Sequence, residues 1–274
     1  MTAEAVILRR TLRRRQAWLE QAQTFIALVE RDTLVLRRDI VPFLLRTAMQ
    51  PFMFVFVFAY LLPKIGEGSR SFGDILVPGL IASALFFQGI QAVALPLVQE
   101  FSQTKEIEDR VMAPLPVAAI AGEKILFAVL QALLSALVVF PLVYIVPLSR
   151  PHLQIDLAVL LTVLPLAAIV SASLGLLIGT AAGPRQIPLV FSVIVLPIVF
   201  LGAVYYPWAQ LGSLRWLQVL ILLNPLVYMS EGLRGALTPQ YGHMHYLAVY
   251  GGLAIGAAVC TYLGIQRFTS RILS

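Results

Sequence analysis

The sequence predicts an all-α membrane protein with six transmembrane helices, an N-terminal amphipathic interface helix, a re-entrant half-helix pair before the last span, and both termini cytoplasmic. Three observations predict it. Only 12% of the 274 residues are charged while 59% are hydrophobic, against roughly a quarter charged in a soluble domain. Mean hydropathy is +0.86, and apolar runs long enough to cross hydrocarbon occupy most of the chain. The Lys and Arg residues are shared unevenly between alternate connections, as expected when positive charge is retained on the cytoplasmic side during insertion.

The first element, residues 1–20, carries Arg9, Arg10, Arg13, Arg14 and Arg15 with little to bury, and reads as a flexible or loosely helical basic cytoplasmic arm. Over 21–41 the pattern changes. Phe25, Leu28, Val29 and Leu36 recur at helical spacing, with Glu30, Arg31, Arg37 and Arg38 mostly opposite them. Such a helix lies in the headgroup plane, its arginines reaching lipid phosphates and its stripe in the acyl boundary. A cytosolic helix packed on a partner is the alternative.

The six-helix transmembrane domain then fills 42–274, with spans at 42–62, 75–98, 120–146, 157–181, 187–206 and 246–266. Six crossings put both ends on one side. With the N-terminus inside, fifteen of the 20 Lys and Arg residues face the cytoplasm. The five left outside are Lys64, Arg70, Arg150, Arg215 and Arg234.

Two connections are more than loops. The segment 100–116 is charge-rich, with Glu100, Lys105, Glu106, Glu108, Asp109 and Arg110, and suits a short solvated helix ended by Pro114 and Pro116. In the outer segment 208–240, the runs 214–223 and 226–237 are too short to span and are separated by Asn224-Pro225. They read as half-helices that enter the outer leaflet and turn back, which requires protein or a water-filled cavity to satisfy their backbone.

The net charge of +6 does not point to nucleic acid, because the basic residues flank apolar segments rather than an aromatic-interleaved polar face. Cys260 is the single cysteine and lies within the last apolar run, so no disulfide framework or redox pair is present. The basic N-terminus has no apolar stretch directly behind it and does not read as a cleaved leader.

A phosphate-binding P-loop needs Gly-Lys followed by Ser or Thr. The lysines here, Lys64, Lys105 and Lys124, follow Pro63, Thr104 and Glu123, so the chain has no such site. It also lacks a nucleophile elbow and a His-x-x-x-His helix. His243 and His245 flank Met244; two potential ligands with no third nearby read as a polar loop rather than a metal site.

The order of features resembles the ABC-2 type permeases, the membrane subunits of ATP-binding cassette exporters. The resemblance covers Phe25 to Arg271. It rests on the amphipathic helix running into Arg38 and Pro42, LVPGL at 76–80, the charged 100–116 segment with APLPVAAIAGEK at 113–124, the 202–207 exit of the fifth span, and LNPLVYMSEGLR at 223–234. The resemblance implies a permease dimer, of this chain or with a sister permease, driven by two ATP-binding cassette nucleotide-binding subunits in the plasma membrane of a prokaryotic-type cell. ATP and Mg would be bound by the partner subunits, and no cofactor by this chain. In that family the interface helix and the first cytoplasmic connection receive the ATPase motion.

A subunit without a P-loop must import its free energy by contact, which makes Glu30, Arg37, Arg38, Glu100, Lys105, Glu106, Glu108, Asp109 and Arg110 candidates for ATPase coupling. A plain solvated loop is the alternative for 100–116. Candidates for the substrate pathway or its gating are Phe54, Phe58, Phe86, Phe87, Tyr205, Tyr206, Glu231 and Arg234. Glu231 and Arg234, at i and i+3, form either a gate or an intrahelical structural pair; the aromatics are pathway residues, lipid contacts or interface anchors. The cargo is expected to be amphipathic, lipid or lipid-linked: a drug, a lipid or a polysaccharide on its carrier. A stand-alone ion-coupled transporter would want charge near the membrane midplane, and an intramembrane lipid-modifying enzyme would have only Glu231, His243 and His245 to work with.

Overall fold

The structure is a computed structural model that describes residues 3–66, 72–104 and 115–273. Among these there are helices and turns but no strand. Helix α1, Ala3–Arg38, runs 36 residues without a break across the expected boundary between basic arm and interface helix. Its half-buried face carries Phe25, Leu28, Val29 and Leu36, while Glu30, Arg31, Arg37 and Arg38 are exposed. Ile26, Leu34 and Val35 are exposed too, so α1 keeps apolar surface uncovered by the rest of the chain.

Asp39 alone separates α1 from α2, Ile40–Lys64, which bears a π-helical stretch at Phe56–Leu61. Helix α3, Phe72–Gln99, continues π-helically through Glu100–Thr104. Helix α4, Val117–Ile145, follows Pro116, and α5, Leu157–Ala181, is capped by Asp156, whose carboxylate accepts from the backbone of Ala158 and Val159.

The fifth expected span, 187–206, differs from the structure. Its helix, α6, is Ile187–Phe200, shorter than the roughly 17 residues that cross hydrocarbon. Residues 201–207 leave the helix in turns, with Ala203 at φ 53, a left-handed backbone that non-glycine residues rarely adopt.

Helices α7, Arg215–Leu223, and α8, Pro225–Leu237, meet at 99°. The bend is built by Asn224, whose side chain caps the Leu226 amide and donates to the Ile198 carbonyl, while Pro225 takes the first helical position. Helix α9, Tyr246–Leu273, completes the chain. Among the described residues five helices are long and apolar enough to cross a membrane, or six if the bent α7–α8 pair counts as one span.

The core is α3 packed along α4 and α5, with α8 wedged against them and α9 on the outer side of α5. In the apolar window of α3, 72% is buried, against 22% in α2 and 17% in α9. Small residues permit this: a Cβ on Gly175 of α5 would lie 2.7 Å from the Ile90 carbonyl of α3, so the two backbones touch. Hydrogen bonds across the spans include Ser173 to Thr261 at 2.7 Å and Thr162 to Tyr250 at 2.6 Å.

Candidate functional site

At the end of the bundle where α1 meets α2, a groove of about 760 Å³ opens between α1, α2, α3 and α4. A smaller cavity of about 140 Å³ continues it, sharing Arg46 and Gln91. Glutamines are spaced to reach it: Gln50 lies one turn after Arg46 on α2, Gln88 and Gln91 share a face of α3, and Gln131 lies two turns after Lys124 on α4.

These side chains form a directed chain. Thr47 Oγ1 donates to Gln88 Oε1 at 3.3 Å, and Gln88 Nε2 donates to Gln131 Oε1 at 3.0 Å. The amide nitrogen of Gln131 is therefore left as a donor at the wall of the larger cavity. Beside it Lys124 Nζ pairs with Glu100 Oε1 at 2.7 Å, both side chains under 10% exposed. Arg46 is different: it lines both cavities and makes no hydrogen bond or ion pair among the described residues.

The opposite end holds a second polar centre, closed to solvent, in which, of the Glu231 and Arg234 side-chain atoms, only Arg234 Nε lacks a partner among the described residues. Glu231 Oε1 accepts from the Trp208 amide at 2.9 Å and from Arg234 Nη1, while Oε2 accepts from the Met244 amide at 2.8 Å. Arg234 Nη2 donates to the carbonyl of the strained Ala203 at 3.0 Å, and the guanidinium is 0% exposed. One ion pair on α8 thus ties down the turn after α6, the start of the α7 segment and the loop into α9. Nearby, Asp74 at the start of α3 is buried and accepts from the Tyr241 hydroxyl at 2.6 Å.

A family model described as ABC-2 type transporter matches residues 23–238. The chain belongs to the ABC-2 type transporter family. It is an integral membrane protein and the permease component of an ABC-type transporter. No curated protein matches it.

In this ABC-2 permease the candidates from the sequence fall in separate places. Glu30, Arg37 and Arg38 lie on the exposed face of α1, with the two arginines in its last turn, where cations oppose the helix dipole. Glu100 turns inward to Lys124 rather than into solvent. Lys105, Glu106, Glu108, Asp109 and Arg110 lie outside the described residues.

The aromatic candidates divide as well. Phe54 stacks on Phe58 at 6.0 Å and meets Tyr205 in a tilted contact at 5.3 Å, and Tyr205 also meets Phe200. Tyr206 is half-buried against the core. Phe86 is 0% exposed inside the helix packing, whereas Phe87 lines the smaller cavity. His243 bonds the Met244 carbonyl and meets the Tyr246 ring in a tilted contact. Among the described residues no group of three or more His, Cys, Asp or Glu is placed to hold a metal.

Arg46, Lys124, Gln88 and Gln131 were not singled out from the sequence. A signal was there: Arg46 is a lone cation inside an apolar run with Gln50 four residues on, an expensive placement for a membrane helix unless it faces a polar cavity.

Proposed function

We propose that this permease is the membrane half of an exporter that moves an amphipathic, lipid or lipid-linked substrate out of the cytoplasm, powered by ATP hydrolysis on separate nucleotide-binding subunits. Its α1 end faces the cytoplasm, with α1 in the headgroup plane, and the α7–α8 pair enters the outer leaflet and turns back. The observation that carries this reading is the meeting of α1 and the end of α3 at one polar groove. Glu100, where the 100–116 segment begins, is locked to Lys124 of α4. Motion delivered to α1 and to that segment would therefore bear on the same three span ends, which is what a chain powered through contact requires.

Two nucleotide-binding subunits would grip α1 and 100–116, and a second permease, identical or a sister, would cover part of the exposed faces of α2 and α9. The plasma membrane is the expected location. Co-expression with a nucleotide-binding protein encoded beside it should yield a complex that hydrolyses ATP, while the purified chain alone shows no hydrolysis. ATPase activity in the chain alone would end this reading.

A gradient-driven transporter draws some support from the buried carboxylates Glu100 and Glu123. Both sit at the α1 end rather than near the midplane where coupling ions bind in such transporters. Transport that persists without any ATPase partner and collapses with the proton gradient would favour it.

A further inference from the structure

The groove presents six charged side chains, and most are already engaged. Lys124 neutralises Glu100, and Arg31 and Asp32 each have interactions of their own. Arg46 and Asp39 remain, seven residues apart on the α2 side, about 10 Å along the helix axis. Asp39 lines the groove alone, whereas Arg46 also lines the smaller cavity. Around Arg46 the unengaged polar groups include the amides of Gln50 and Gln91 and the Nε2 donor of Gln131.

An arginine about two turns into a membrane span is costly unless an anion or water meets it. Arginine also differs from lysine in presenting a planar fork that matches phosphate oxygens in pairs. The surroundings of Arg46 are amphipathic. Leu45 and Met49, on neighbouring turns of α2, are 61% and 55% exposed, so a molecule with its head in the groove has apolar helix surface for its chains. Asp39, lining the same groove, offers an acceptor to whatever the phosphate is esterified to.

We propose that this groove is a headgroup site for a phosphate-bearing amphiphile. Arg46 and the amides of Gln91 and Gln131 hold the phosphate, and Asp39 accepts from an amine, glycerol or sugar hydroxyl beyond it. The inference rests on the permease reading and narrows its cargo to phospholipid-like or phosphate-linked amphiphiles. A phosphate headgroup has two sources, a resident bilayer lipid and the transported molecule itself, and both would bind through the same chemistry.

The test uses the full chain in phosphatidylcholine nanodiscs carrying a minor amount of photoactivatable phosphatidylglycerol, with photoactivatable diacylglycerol as the comparison. Adducts are mapped by peptide mass spectrometry. Phosphatidylglycerol should label the α2 and α3 groove peptides roughly tenfold more than diacylglycerol, a difference of one decade in affinity. Arg46→Gln should lose that advantage, Arg46→Lys should keep part of it, and Arg185→Gln should behave as wild type. Gln131→Leu gives an independent reading from α4 if Arg46→Gln does not fold.

Equal labelling by the two probes, or unchanged labelling in both Arg46→Gln and Gln131→Leu, overturns the proposal. With the nucleotide-binding partner present, adducts that fall on adding ATP identify cargo, and adducts that do not identify a resident lipid. Labelling of the chain alone needs no partner, so failure of the headgroup site and failure of the ATP-driven reading appear in different experiments.

Discussion

The two ends of this permease treat an arginine in opposite ways. Arg234 is 0% exposed, its Nη1 held by Glu231 and its Nη2 by the Ala203 carbonyl, with Nε buried and unpartnered among the described residues. Arg46 sits in an open groove and engages nothing among the described residues. A buried guanidinium paired with a carboxylate holds chain segments together, and that carboxylate also accepts from backbone amides of two loops. A guanidinium left open beside unpaired amide donors is arranged to meet something from outside. The comparison therefore casts the α8 centre as structural and supports the recognition role proposed for the groove.

Breaking the closed centre should have the largest effect. Glu231→Ala strands a buried cation and frees the Trp208 and Met244 amides, so it should cost about 3–5 kcal/mol, read as lost folded protein in thermal unfolding of the detergent-solubilised chain. The Glu231→Ala, Arg234→Met double variant should recover part of that loss, because no charge is then left buried.

An intermediate effect is expected at the groove wall. Lys124→Met removes the partner of Glu100 but leaves that carboxylate bordering a cavity where water can reach it, so the cost should be about 2 kcal/mol. A double-mutant cycle with Glu100→Gln should show the two residues coupled, and a sum of independent costs would break the link drawn between the 100–116 segment and α4.

Arg46→Gln should have the smallest effect on stability, within about 0.5 kcal/mol by the same unfolding assay. A loss comparable to that of Glu231→Ala would mean that Arg46 is structural, and the contrast between the two ends would fail.

Much of the molecule is legible in the sequence. The fourth span was read at 157–181 and the helix is Leu157–Ala181. The break at Asn224-Pro225 was read from its turn chemistry, and it is where α7 and α8 bend by 99°. The fifth span was not legible, because apolar residues continue past Phe200 after the helix has ended and hydropathy does not register a turn. Glu100 was read as solvated because its sequence neighbours are charged, whereas its partner lies on another helix.

By itself the sequence determined that this is a helical membrane protein of the ABC-2 family, where most of its apolar helices run, and that it carries no P-loop. These properties are local: they depend on apolar run length, on capping and turn residues, and on motif order. The tertiary structure alone decided which polar residues act together. Thr47, Gln88 and Gln131 come from three helices, 41 and 43 positions apart along the chain. Glu231 reaches the amides of Trp208 and Met244 only because α8 packs between their loops. Polar groups inside a membrane protein must find partners or a cavity, and helix packing, which no single segment encodes, settles which of the two each one finds.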